Sequence, residues 1–534
     1  MPASDGAYPE VNKKWKATCR VLLGEEVGEL DDFSEWLYDY NGPRRIEKSE
    51  KSGKPVLSYD GRYSSGAKWI SLDEVDFSAP APALSINQVK DIDSIVQGIS
   101  ELAIYTGNMC LGNSAHVEDS ATVMDSHYIF HSESVWDSKY VAYTTHAIGE
   151  CVFGGKCVSS NFLIRCNTIH SERCFEASKC DLCSGLYYAH GLSSCHDCMF
   201  SFNLRSKRNR IGNLELPKDK YAALKQKLVA EMHENLKKDK WLPHHLDLFK
   251  SCKPDYSALR VVYSKMPLQP PKKTDTAAIE EAFSQTTKLV FGIPYKGIDK
   301  YAPWLKRNTR RFEDGKSCAS GKPLLVPEYA DFTLFPRDRL LGFEEAEFIG
   351  ERLAISEAEA ESLTLAGAGS ILSKVGYFSP DWKSGNNFNN IGCPIEFNCT
   401  DCYRSIINLF SKRCAFGWWP RESEYLFGHN RTRHSAFCIN CFDSEKIQRC
   451  FEVSEARDCT GCYYCHNVEN VHDSMFCFNT KNKKYAVGNV EVGREKYSEV
   501  KALVLAQLNA ELSKTNSIAL SIFNLPDYIR KKGE

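Results

Sequence analysis

Residues 174–203 read CFEASKCDLCSGLYYAHGLSSCHDCMFSFN, and residues 450–479 read CFEVSEARDCTGCYYCHNVENVHDSMFCFN. The two stretches align without a gap, 276 positions apart, from Cys174 to Cys450. Phe175-Glu176, Tyr187-Tyr188, His190, His196-Asp197, Met199-Phe200 and Phe202-Asn203 all return at that offset. A chain that repeats itself in this way reads as one ancestral unit of roughly 250 residues written twice.

The register continues downstream, where Lys207, Gly212-Asn213, Glu215, Lys220 and Tyr221 return as Lys483, Gly488-Asn489, Glu491, Lys496 and Tyr497. A helix is expected next in both copies. Tyr221, Leu224, Leu228, Met232 and Leu236 fall on one stripe, as do Tyr497, Val500, Val504, Leu508 and Leu512. Upstream, Trp36-Leu37 answers Trp304-Leu305, and Ser52-Gly-Lys-Pro-Val-Leu answers Ser320-Gly-Lys-Pro-Leu-Leu. Ser85 with Gln88 and Ser356 with Glu359 have the spacing of capping boxes. The stretch MPLQPPKKTDT, residues 266–276, has the prolines and charges of an exposed linker. The organisation that follows is a first copy over 1–265, with an α+β segment to about 108, a cysteine-rich array over about 109–213 and a capping helix over about 218–238. A second copy spans 277–534, with the same parts to about 388, over about 389–489 and over about 493–514.

Inside the first array, aromatic or branched clusters fall near Ile129, Trp136, Val141, Phe153, Leu163, Ile169, Phe175, Tyr188 and Phe200, about six or twelve residues apart. That spacing is not helical. Short strands between Ser, Asp, Gly and Cys corners suit a parallel β-solenoid, each rung stacking on the last. The expected fold is mainly β with flanking helices: two tandem cysteine-rich solenoids, each closed by its amphipathic helix.

The chain has 534 residues, 43% hydrophobic and 25% charged, enough to bury at least two cores. A net charge of -2 and a pI near 6.7 argue against indiscriminate attraction to nucleic acid or to an anionic membrane. The N-terminus MPASDGAYPEVNKKWK lacks the basic start and apolar stretch of a secretory signal. No run of about twenty apolar residues is present to cross a bilayer. A soluble cytoplasmic protein is the expectation, with a virion as the alternative setting. In a reducing compartment the 23 cysteines are free thiols or metal ligands, not disulfides.

Cys180, Cys183, Cys195 and Cys198 form C-x2-C-x11-C-x2-C, a spacing able to close a tetrahedral zinc site. The second copy supplies a control. It places Ala456, Cys459, Val471 and Ser474 at those positions, and cysteine trades elsewhere with core residues: Leu186 against Cys462, Ala189 against Cys465, Ser201 against Cys477, Cys166 against Phe442. Such exchange suits a small, soft filling residue better than a ligand. The array therefore reads as a ladder of buried free thiols, with zinc in the first copy and disulfides as alternatives.

Cys183, His190, His196 and Asp197 recur as Cys459, His466, His472 and Asp473, which supplies a nucleophile, bases and a carboxylate in both copies. A histidine at a corner can equally serve a neighbouring backbone group. Gly53-Lys54 and Gly321-Lys322 lack the earlier glycine and following Ser/Thr of a phosphate loop and read as turns. Lys207, Arg208 and Arg210, with Lys481, Lys483 and Lys484, are candidate phosphate contacts or a solvated loop before the helix.

The run of C-x2-C-like repeats, followed by SFNLRSKRNRIGNLELPKDKY and CFNTKNKKYAVGNVEVGREKY, resembles uncharacterised cysteine-rich repeat proteins of the kind abundant in candidate-phyla-radiation bacteria. The chain departs from that group in having Cys19 alone near its start, where paired cysteines are expected, and in being doubled. The resemblance implies a fold and no activity. With extended stacked surface and no complete catalytic constellation, the function read from the sequence is a non-enzymatic scaffold binding other proteins, or further copies of itself, in a larger assembly. A zinc-containing nucleic-acid-binding protein and an enzyme using the Cys/His/Asp set are the competing readings, and zinc is the cofactor the residues suggest.

Overall fold

The computed structural model describes residues 6–39, 41–42, 44–58, 61–79, 89–267 and 274–528. Ser85, Gln88 and most of the 266–276 linker lie outside the described residues. The protein is mixed α/β, 33% strand and 29% helix, with no closed barrel. Helix thus takes a larger share than a mainly β reading implies, because the segments flanking both arrays are largely helical.

Residues 108–215 and 383–491 form two ladders of short parallel strands. Partners lie twelve residues apart, as in Ser184↔His196 and Leu186↔Cys198 in the first and Glu424↔Ala436 and Ile439↔Phe451 in the second. The spacing of twelve comes from a shorter unit. A left-handed residue recurs every third position over long stretches, as in Tyr128, His131, Ser134, Asp137, Tyr140 and Tyr143, with φ between 44° and 59°. The second ladder does the same at Arg431, His434, Phe437, Asn440, Asp443 and Lys446, with φ between 44° and 55°. Each triplet has one residue facing inward, one extended residue, and one corner. Left-handed backbone is costly for such side chains and persists where the surrounding hydrogen bonds over-determine it.

Where the inward residue one turn earlier carries a polar side chain, hydrogen bonds account for all three N–H groups of a triplet. The extended residue donates forward, as Tyr403 does to the Cys414 carbonyl at 2.9 Å, and the corner donates back, as Arg404 does to Ile391 at 2.8 Å. The inward N–H finds a side chain one turn earlier. Ser435 donates to Ser423 Oγ at 3.1 Å, Ile447 to Ser435 Oγ at 3.0 Å, and Cys402 to Asn390 Oδ1 at 2.9 Å. An inward hydroxyl is therefore part of the ladder and is not bare filling.

The first ladder contains shorter turns. Asn161 pairs with Glu172 and Leu163 with Cys174, eleven residues apart. Gly149 N–H meets Ser138 Oγ at 2.9 Å, and Ser171 N–H meets Ser160 Oγ at 3.0 Å, over the same interval. Dropping a residue draws adjacent turns together, and glycine takes up the approach: a Cβ on Gly149 would lie 2.0 Å from the Ser160 carbonyl, and one on Gly155 2.2 Å from that of Cys166.

The ladder interiors are apolar cores of Val, Leu, Ile, Ala and Cys, among them Val135, Leu163, Cys174 and Leu186 in the first and Cys438, Cys450, Cys462 and Val468 in the second. All 23 cysteines are free. The helices expected after the arrays span Lys218–Asp239 and Arg494–Thr515, burying Tyr221, Leu228, Met232 and Leu236, and Tyr497, Val500, Val504, Leu508 and Leu512. Gly53 and Gly321, at φ 74° and 73°, sit in the turns between two pairs of strands, the first pair antiparallel, as read from the sequence.

The chain divides into two compact units, and the division does not follow the boundary drawn at 266–276. One unit gathers Met1–Arg44, Asn108–Pro270 and Glu313–Trp382; the other gathers Arg45–Gly107, Pro271–Phe312 and Lys383–Glu534. Each array keeps its own preceding Trp-Leu pair and following helix, and takes the Gly-Lys hairpin from the other half of the sequence. In the second unit Thr106 N–H donates to His466 Nε2 at 2.9 Å; in the first, Asn203 Nδ2 donates to the Tyr377 carbonyl at 2.8 Å. Ser356 and Glu359 do form a capping box at the start of Glu357–Ser362. Ser356→Ala should lower the stability of the first unit by about 1 kcal/mol, measured by chemical denaturation.

Among the described residues, no helix is long and apolar enough to cross a membrane.

Candidate functional site

The candidate residues named from the sequence are dispersed. Cys180 Sγ donates to the Ser178 carbonyl at 3.2 Å, Cys183 Sγ to Asp181 at 3.2 Å and Leu192 at 3.5 Å, and Cys195 Sγ to Ser193 at 3.4 Å and Leu204 at 3.5 Å. Cys198 Sγ donates to His196 at 3.4 Å. The thiols of Cys183 and Cys198 both bond to that of Cys195, which pushes their own pKa values up and that of Cys195 down. Burial pushes the Cys174 thiol up to about 12. Among the described residues the four sulfurs do not converge on a common centre, because Cys195 adjoins Cys183 across turns and Cys198 along its own turn.

Serine makes the same bonds as cysteine in these positions. Ser423 Oγ donates to the carbonyls of Arg421 at 2.8 Å and Thr432 at 3.2 Å, and Cys414 Sγ to those of Lys412 at 3.3 Å and Ser423 at 3.8 Å. The partners stand two residues before and nine after in both cases, a geometric reason for Ser–Cys exchange.

His196 meets Ser184 Oγ at 2.8 Å, Asp197 is a corner residue paired with Lys225 at 3.3 Å, and His472 meets Asn470 Oδ1 at 3.0 Å. Asp473 is likewise a corner. The Cys/His/Asp set is thus distributed over the inside, the faces and the corners of a ladder, and forms no constellation. The basic loops are largely answered by carboxylates: Lys207 by Glu351 at 3.6 Å, Arg210 by Glu215 at 2.7 Å, Lys481 by Glu469 at 2.6 Å. Arg208 is exposed, Lys483 is half-buried, and exposed Lys484 stands over the Tyr485 ring at 5.2 Å.

His190 is the sequence candidate that leads to a site. It is fully buried, edge-on to Phe335 and Phe378 at 5.0 and 4.9 Å, and burial drives its pKa far below the ordinary histidine value. Its Nδ1 lies 2.7 Å from Ser178 Oγ, which lies 2.7 Å from His245 Nε2. His245 and His244 follow the first capping helix in a short loop. His245 Nδ1 and His244 Nε2 each stand 3.7 Å from Glu176 Oε2, and Glu176 Oε1 is held by Arg165, whose guanidinium also bonds the Trp36 carbonyl. Glu176 is completely buried, His245 nearly so, and burial also keeps His244 neutral.

Glu176, His244 and His245 form a group whose candidate ligand atoms all lie within 4.8 Å of one another. Beside them is a cavity with about 30 Å³ of room for water centres, lined in part by Asn41, Lys156, Asn167 and Asp331. One carboxylate and two imidazoles are a donor set suited to a divalent transition metal. In the sequence Glu176 is one of many recurring residues, and the two histidines lie where the halves cease to match. The signal was there: 276 positions on from His244-His245 stand Leu520-Ser521.

Compared with family models, with curated proteins and with solved structures, the chain matches none.

Proposed function

We propose that the two ladders are parallel β-solenoids of twelve residues per turn, derived by internal duplication, and that they act as a non-enzymatic scaffold for protein partners in a larger assembly. The observation that carries this reading is how regularly the inward hydroxyls, thiols and repeated histidines are tied into the ladders themselves. Inward hydroxyls and thiols bond backbone carbonyls, and the repeated histidines of the ladder are tied to serines one turn away, His190 to Ser178 and His466 to Ser454 at 2.7 and 2.8 Å. Side chains committed to structure in this way leave surface, not a reactive pocket, as the repeated feature. Solenoid stacking also explains why cysteine, serine and small aliphatic residues interchange at inward positions.

The scaffold reading is tested by the association state of the purified protein and by cross-linking in its native source. A reproducible stoichiometric complex, with itself or a defined partner, is expected; a strict monomer without cross-linked partners overturns it. The thiol ladder has its own test. Cys450 donates to the Gln448 carbonyl at 3.2 Å, a bond serine reproduces, so Cys450→Ser should change stability by less than about 1 kcal/mol, whereas Cys450→Leu should cost about 1–3 kcal/mol by overpacking. Chemical denaturation of the second unit distinguishes the two.

A further inference from the structure

We propose that Glu176 Oε2, His244 Nε2 and His245 Nδ1 bind one divalent transition-metal ion of the zinc class, a site independent of the cysteines and of the scaffold reading. Both nitrogen-to-oxygen distances are 3.7 Å. Ligands at about 2.0–2.1 Å from a tetrahedral ion are about 3.3–3.4 Å apart, so a small movement brings each imidazole to its place beside the Glu176 oxygen, and the two ring nitrogens already lie within 4.8 Å of each other. Without an ion, the same separation is too long for a hydrogen bond.

The orphaned atom is the second observation. His245 is 1% exposed, and its Nδ1 has no hydrogen-bond partner, although its Nε2 is 2.7 Å from Ser178 Oγ. A buried ring nitrogen facing a carboxylate oxygen across 3.7 Å is costly as it stands and is satisfied by a cation between the two. The outer groups are those a metal-bound imidazole and carboxylate need: Ser178 and His190 behind His245, and Arg165 on the far oxygen of Glu176. Existing contacts weigh against ligation: Leu246 N–H points at His244 Nδ1 from 3.4 Å, the long limit of a hydrogen bond, and binding through Nε2 gives it up, while His245 N–H already donates to Glu176 Oε2 at 3.3 Å, which the ion would have to share.

Charge favours the ion. Buried Arg165 and Lys156 are outnumbered by carboxylates, since Glu176 is joined by Asp331 on the cavity wall, Asp39 3.8 Å from Arg165, and Asp247, which accepts from His244 N–H at 3.0 Å and also pairs with exposed Lys250. Three protein ligands leave a fourth position for water or a small anion from the cavity.

The other unit shows what the same carboxylate does without the histidines. Glu452 Oε2 accepts from Ser521 Oγ and Ile522 N–H, both at 2.9 Å, and Oε1 accepts from Asn440 at 3.0 Å. That carboxylate is satisfied by the protein alone, so the stoichiometry is one ion per chain.

The full-length protein, stripped with chelator, is titrated with Co²⁺ and with Zn²⁺ and assayed for bound metal after desalting. The expected result is one equivalent, visible Co²⁺ bands without a strong near-ultraviolet thiolate band, and a zinc-dependent rise in Tm. His245→Gln and His244→Gln should each weaken binding at least tenfold, while Cys183→Ser and Cys195→Ser leave it unchanged. Should either histidine variant fail to fold, the Co²⁺ spectrum of the unaltered protein still decides. No bound metal in folded protein, a thiolate band, two equivalents, or full binding in a folded His245→Gln variant overturns the proposal.

Discussion

Gly417→Ala is expected to destabilise the second unit by about 3 kcal/mol or more, and His429→Ser is expected to recover most of that loss. The reason lies in one column of inward positions, Ser405, Gly417, His429 and Cys441, each twelve residues from the next. Most inward slots hold a small residue. His429 is far larger, is completely buried, and fits because the position one turn earlier has no side chain. A Cβ on Gly417 would lie 2.2 Å from His429 Cε1, 2.3 Å from Nε2 and 2.4 Å from Nδ1. The imidazole has no exit, since the Gly417 and Trp418 N–H groups are locked to Ser405 Oγ at 3.2 Å and the His429 carbonyl at 2.8 Å. The clash is between one methyl group and one ring, so the two substitutions should be strongly coupled: the double variant restores the Ser-sized filling found along the rest of the ladder, while His429→Ser alone leaves a void over a glycine. A denaturation cycle over the four proteins measures the coupling. Additive effects would show that the ring and the glycine do not share the space.

That column also marks how far the sequence could be read. The recurrence at 276 positions and the spacings of six and twelve were visible because inward residues of successive turns are chemically alike, and Cys–Ser–Leu exchange between the halves exposed the cysteines as ladder residues. The corners were not visible. Tyr128, Phe416 and Arg431 turn the chain with φ of 59°, 53° and 44°, and nothing in their side chains announces a left-handed backbone; the ladder's hydrogen bonds impose it. The eleven-residue turns were hidden for a similar reason, since their only local signs are Gly149, Gly154 and Gly155. The regrouping of the Gly-Lys hairpins could not be read at all: two hairpins of nearly identical sequence fit either array equally well on paper. In the candidate site, His190 was singled out for its recurrence and proved to touch the cluster through Ser178. Glu176 recurs as Glu452 and carries no mark of its own in the sequence, and His244-His245 lie outside the stretch where the halves agree.

The second unit should be most stable near pH 6.5 and lose stability on both sides, through groups that titrate in opposite senses. His466 accepts the Thr106 N–H on Nε2 at 2.9 Å, so its proton is on Nδ1, facing Ser454 Oγ at 2.8 Å. Protonating Nε2 would set two donors against each other in a buried site, and burial holds the group down to about 3. His429 is held to about 3 by burial as well. A histidine whose folded pKa lies below its unfolded value binds its proton in the unfolded chain first, so each removes about 1.4 kcal/mol of stability per pH unit as the pH falls below about 6.5. Glu455 acts the other way. Burial and the neighbouring Asp443 raise its carboxyl to about 8, against the opposing pull of Arg431 and Arg62, which pair with Asp443. Between an unfolded value near 4.5 and about 8 the folded state holds that proton and the unfolded state has released it, so stability falls as pH rises through this window. Glu455 is only partly buried, and its slope should therefore stay below about 1.4 kcal/mol per pH unit. From pH 6.5 down to 4.5 the two histidines act against Glu455 and against Glu452, whose carboxyl burial also raises; from 6.5 up to 8 the histidines no longer contribute and Glu455 carries the loss. Glu455→Gln should remove the alkaline limb and steepen the acid one, and His429→Ser should make the acid limb shallower. Denaturation midpoints of the second unit at half-unit steps from pH 4.5 to 8 resolve the limbs, and a profile flat across that range would mean that these groups keep their ordinary pKa values in the folded chain.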